Sequence, residues 1–139
     1  MKPIAKNILA VVVGIASGMA VNMAVVGVGP SVVPLPEGAD VSTVEKLSES
    51  MALFAPENFI FPFLAHALGT FAGAFVAAKL AGSQALKLAI GTGLWFMLGG
   101  GAMALLVGGP AWFNVCDLLL AYLPMGYLGG RLAGGKKRG

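Results

Sequence analysis

The sequence predicts an all-α integral membrane protein. The expected form is a four-transmembrane-helix bundle in one domain, with a short amphipathic helix in the outer loop and both termini cytoplasmic. Three observations predict it. Hydrophobic residues fill 58% of the 139 positions and charged residues only 11%, whereas soluble domains carry about a quarter charged residues. Four apolar runs, residues 8–28, 58–79, 87–107 and 112–132, each reach the ~20 residues a helix needs to cross the hydrocarbon core. Charge is also segregated. Glu37, Asp40, Glu45, Glu49 and Glu57 lie between the first two runs, while Lys2, Lys6, Lys79, Lys87, Arg131, Lys136, Lys137 and Arg138 lie at the opposite ends, and only Lys46 crosses over.

The basic residues invite a nucleic-acid reading. Topology explains them with less, because Lys and Arg stay on the cytoplasmic side of a membrane. No nucleic-acid partner is expected, and residues 29–56 are expected outside. The setting this implies is a bacterial inner (cytoplasmic) membrane, with the lipid bilayer as the first partner. Cys116 is the single cysteine, which excludes an intramolecular disulfide and CxxC redox chemistry.

Residues 8–28 follow a basic start, as in a signal peptide, and Gly18-Met19-Ala20 resembles a cleavage site. The apolar run continues well past Ala20, so an uncleaved span is expected. Gly14, Gly18 and Asn22 recur every fourth residue on one face, the spacing at which small residues let another helix approach. Residues 29–36 hold Pro30, Pro34 and Pro36 and are expected to be irregular. Ser42 and Glu45 form a capping-box pattern. Val44, Leu47, Met51 and Phe54 then recur at helical spacing, which predicts the amphipathic helix at the outer interface.

The second run carries His66, the only histidine, and the GxxxG pair Gly69 and Gly73. Pro62 predicts a bend near its outer end. The third run is rich in glycine, which in lipid still forms helix because the backbone must bond to itself. The fourth begins at Trp112, suited to the membrane interface, and carries Asn114, Asp117, Pro124 as a kink candidate, and the GxxxG pair Gly126 and Gly130. Residues 134–139 form a basic tail expected to stay near anionic lipid. Lys79-Leu80-Ala81-Gly82 echoes Arg131-Leu132-Ala133-Gly134, hinting at two parallel hairpin repeats.

Few side chains inside the runs demand a polar partner. At ~1.5 Å per residue, His66 lies about 12–14 Å below the outer end of its span, and Asn22 and Asp117 some 7–10 Å below theirs. With Thr70 and Asn114 they are expected to form one polar pocket open to the outside. A carboxylate within a span costs ~3 kcal/mol on insertion scales, so Asp117 needs a proton, a partner or water. His66 is the ionisable group at similar depth, and such a pair titrates as a unit. The bland reading is also open: His66 bonds a carbonyl freed by Pro62, and Asp117 is hydrated or caps a loop.

No HxxxH, CxxC or ExxH spacing is present, so neither a metal nor a cofactor is expected. The sequence lacks a nucleophile or base–metal set, so no catalytic residue is singled out and enzymatic activity is not expected. In size and span count the chain resembles the small multidrug-resistance transporters. Their functional carboxylate lies in the first span, and here that span carries no acid, so the resemblance does not imply drug export. Two functions remain. One is movement of a proton or small solute through the pocket by a homo-oligomer; the other is a non-catalytic accessory or scaffold subunit of a larger membrane complex. For helix packing, Gly14, Gly18, Gly69, Gly73, Gly126 and Gly130 are the candidates, within the chain or between chains.

Overall fold

The computed structural model describes residues 1–134. The basic tail lies outside the described residues from 135 onward. Helix dominates: α1 (Pro3–Val32), α2 (Val44–Ser50), α3 (Ile60–Leu80), α4 (Ala85–Val107), α5 (Ala111–Leu120) and α6 (Leu123–Leu132). Short 3-10 turns at Met51–Leu53 and Pro56–Phe59 join α2 to α3. Among the described residues, three stretches are long and apolar enough to cross a membrane: Pro3–Val32, Pro56–Leu80 and Ala85–Val107.

The run at 112–132 is not one continuous helix. It is two helices of 10 residues each, α5 and α6. Pro124 accounts for the break, since it has no N–H to give the carbonyl of Leu120 and its ring crowds that carbonyl. Tyr122, at φ −114° and ψ −77°, takes up the change of direction. A second difference lies at the end of α1, which runs through Gly29 and Pro30 to Val32. A proline so near a helix end withholds a single bond, and the turn still closes because Val33 N donates to Gly29 O at 2.8 Å. The cap of α2 falls one residue later than expected. Thr43 Oγ1 accepts from Lys46 N at 3.2 Å, while the Ser42 amide is committed to Asp40 Oδ1 at 2.9 Å.

Packing follows a membrane logic, with small residues inside and large apolar ones outside. Ala65, Ala74, Ala77 and Ala89 are fully buried, whereas Ile8, Met23 and Leu105 are 62%, 71% and 89% exposed. Lipid is as apolar as these side chains, so helices associate through close contact rather than by hiding bulk from water. α1 packs antiparallel on α3; α3 also packs on α4 and α6, and α4 on α6. A Cβ added to Gly14 would lie 2.6 Å from Gly73 O, and one added to Gly18 would lie 2.6 Å from Gly69 O. The reverse approaches, from Gly69 to Gly18 O and from Gly73 to Gly14 O, are both 2.8 Å. These four glycines therefore meet one another within the chain. α6 is seated the same way: Gly126 lies against Gly93, Gly130 against Ala89, and Gly129 against the backbone of Phe71 and Phe75.

Antiparallel packing gathers the charges into two ends. At the basic end, Asn7 Oδ1 accepts from Gly82 N and Ser83 N at 2.9 and 3.1 Å, tying the start of α1 to the α3–α4 turn. Lys79 lies over the Phe75 ring and Arg131 over the Tyr127 ring, each four residues on. The echoed four-residue motifs thus close α3 and α6, each with a cation over an aromatic ring four residues earlier. Glu37, Asp40, Glu45, Glu49 and Glu57 are exposed at the opposite, acidic end.

Candidate functional site

Three elements converge on one carboxylate. α5 carries Asp117, buried at 5% exposure. His66 reaches it from α3, with Nδ1 2.9 Å from each of Oδ1 and Oδ2. Tyr122, at the α5–α6 break, donates its hydroxyl to Oδ2 at 3.0 Å. The His66 and Tyr122 rings stack with centroids 5.7 Å apart and planes 28° apart.

The break makes the Tyr122 contact available. Residues five apart on a regular helix stand about 140° apart around its axis and face away from each other. Interrupting the helix after Leu120 turns Tyr122 back to Asp117. α4 accommodates the hydroxyl at Gly100, where a Cβ would collide with it, and the Tyr122 backbone lies against Gly93. Two glycines of α4 thus make the space that the polar cluster fills.

The geometry assigns the chemistry. An ionised Asp117 would only accept, with His66 Nδ1–H and the Tyr122 hydroxyl as its two donors. His66 then presents Nε2 elsewhere, and this atom has no hydrogen-bond partner among the described residues. The His66 side chain is 29% exposed.

What His66 faces is a cavity of about 480 Å³ at the acidic end. α1 from Val26 to Pro30 with Val33 just beyond it, α3 at Phe61 and Pro62, and α4 from Gly100 to Val107 form its walls. The outer loop and α2 contribute Leu35, Val41, Leu47, Met51 and Phe54. Four polar side chains reach the lining: Asn58, Asn114, His66 and Asp117. Asn58 is committed at both ends, accepting from Ala55 N at 2.9 Å and donating to Pro34 O at 3.1 Å. Asn114 Nδ2 donates to Gly108 O at 3.2 Å. Ser48 Oγ bonds Val107 O at 2.9 Å and pins α2 to the end of α4.

The sequence grouped five residues into one pocket, and the structure brings three of them to the cavity: His66, Asn114 and Asp117. Asn22 lies instead at the α1–α3 contact, its Cβ within 3.0 Å of where a Cβ on Gly69 would stand. Thr70 sits one turn below His66, 1% exposed, and its Oγ1 has no hydrogen-bond partner. Reasoning from sequence missed Tyr122 and Gly100. The available signal was a tyrosine two residues before Pro124 and five after Asp117. No protein-family model, curated protein or solved structure matches the chain.

Proposed function

We propose that this protein crosses the bilayer four times, with α5 and α6 together making the fourth crossing, and moves protons through the cavity. The observation that carries this reading is the His66–Asp117–Tyr122 cluster in a cavity wall, with one imidazole nitrogen left free. A buried carboxylate is costly in a membrane. Packing does not require it, because glycine and alanine contacts already hold α1, α3, α4 and α6 together. Sealed between helices, the cluster would read as structural glue. Beside a cavity of ligand size, ~300–1,000 Å³, it is placed to exchange protons with an occupant.

Lys and Arg at the basic end support cytoplasmic termini and a cavity on the outer side. Ala67, Thr70 and Ala74, deeper along α3, are buried, so a transport step requires rearrangement or a second copy. Gly14, Gly18, Gly69 and Gly73 are occupied within the chain, and any assembly would use other surfaces.

The test is proton entry into liposomes loaded with a pH dye, under an imposed pH gradient. Wild type should acidify the lumen at least ~10-fold faster than His66→Ala or Asp117→Asn, with all three proteins eluting at the same size. Equal rates in wild type and protein-free liposomes would overturn the reading, as would variants as fast as wild type. Recovery of the wild type in a stable complex with a larger membrane protein, together with no flux, would make it an accessory subunit.

A further inference from the structure

We infer that the cavity is a site for a small organic ammonium ion with an apolar body, whose N–H donates to His66 Nε2. The inference rests on the proposed cavity function and names its occupant. Charge comes first. No lysine or arginine among the described residues lines the cavity, Asp117 stands at the polar cluster, and the acidic end exposes Glu37, Asp40, Glu45, Glu49 and Glu57. Lys46, the one cation at that end among the described residues, is paired with Asp40 at 2.8 Å. An anion would meet this field unfavourably at every depth, and a cation favourably.

The lining supplies the second argument. Phe54, Phe59, Phe61 and Phe113 border the cavity, and aromatic faces attract ammonium groups. A bare metal ion finds too few ligands there: Asn58 is committed at both ends and Asp117 accepts through both oxygens, which leaves His66 Nε2 and Asn114 Oδ1 among the polar side chains of the described lining. An apolar body is required to fill the remainder.

The third argument is the free nitrogen. A neutral His66 that gives its Nδ1–H to Asp117 would offer a lone pair at Nε2. An ammonium N–H satisfies it; a quaternary ammonium has no N–H to give. A solvent proton at Nε2 would turn the acceptor into a donor and add a positive charge. Proton and ammonium ion thus exclude each other at one atom, which is the condition for exchanging them. The groups facing His66 are Asp117 from α5 and Tyr122 from the break. α1 and α4 line the cavity beside it with Val26, Gly29, Gly100 and Met103, none of which titrates, and α2 does so with Leu47.

His66 is the only histidine, so ¹⁵N-histidine labelling reports this site alone. The protein in nanodiscs should be titrated with N,N-dimethyl-2-phenylethylamine, its N-methylated quaternary salt, and 2-phenylethanol. The amine should shift the Nε2 resonance saturably, at least tenfold more tightly than the other two. Equal affinity for the quaternary salt would overturn the role of Nε2, and equal affinity for the alcohol would overturn the role of charge. Absence of any saturable shift would overturn the site. Amine binding without proton flux would refute only the transport reading; flux without amine binding would refute only this one.

Discussion

Two glycine-to-alanine changes, differing only in what the new methyl group meets, test the packing of the bundle. A Cβ on Gly18 would stand 2.6 Å from Gly69 O and 2.7 Å from the Phe96 ring, whereas one on Gly91 meets nothing within 4 Å. Ordinary contact begins near 3.4 Å, so α1 would have to back away from α3 by about 0.8 Å at Gly18. Backbone cannot rotate aside as a side chain can. Overpacking of this kind costs ~1–3 kcal/mol, while Gly91→Ala in open space should stabilise by ~0.4–1 kcal/mol through the unfolded state. The unfolded-state gain is common to both variants, so they should differ by the overpacking alone, about 1–3 kcal/mol, roughly one to two decades in the folding equilibrium at ~1.4 kcal/mol per decade. Reversible unfolding in mixed micelles of rising dodecyl sulfate fraction, followed by the fluorescence of Trp95 and Trp112, measures this. If both variants shift the midpoint equally, or if Gly91→Ala is the more damaging, the α1–α3 contact is not built as described.

Two further outcomes are expected. The side chain of Lys46, bonded to Asp40 at 2.8 Å, and then the Ser42 amide hold the Asp40 carboxyl well below the usual carboxylate range. A depressed folded value gives a contribution that is complete above the unfolded value of ~3.9 and lost only as pH falls through the folded one. Amide protection at Ser42 and Lys46, corrected for intrinsic exchange, should thus stay flat from about pH 5 to 8 and fail in stronger acid; a loss between pH 5 and 7 would contradict the latch. For topology, a membrane-impermeant maleimide applied to intact cells should label Glu45→Cys but not Ser83→Cys, each in a Cys116→Ser background. The opposite pattern would invert the protein in the membrane.

The sequence made some of this legible and hid the rest for identifiable reasons. Helical rise alone set His66 and Asp117 at comparable depth, and the two side chains meet at 2.9 Å. Asn22 was grouped with them by depth too, yet it faces the α1–α3 contact beside Gly69. Depth fixes one coordinate of a helical residue, and rotation about the axis fixes the other. Tyr122 was invisible because five-residue spacing on an unbroken helix separates side chains. Only the interruption at Pro124, located to the residue, reverses that. The prolines at 30–36 misled in the opposite direction, since a single proline near a helix end leaves room for α1 to continue to Val32. Three spanning stretches were plain from hydropathy. The fourth run showed its apolar content but not its division in two.

That division bears on how the chain enters a membrane during synthesis. α5 and α6 are each about 15 Å long, half the hydrocarbon thickness. Between them they carry a carboxylate and an interruption of the helical hydrogen-bond ladder. Neither piece is a self-sufficient passenger for the translocation machinery. What makes the pair acceptable to lipid is already built from earlier residues: the imidazole of His66, the notch at Gly100, and the backbone of Phe71 that receives Gly129. On the four-crossing reading, the last segment is thus a client of the first three. A chain ending after Val107 should insert as the full protein does. A chain lacking 60–107 should leave residues 111–132 outside the bilayer, and a glycosylation-site assay that found them embedded would show that they need no host.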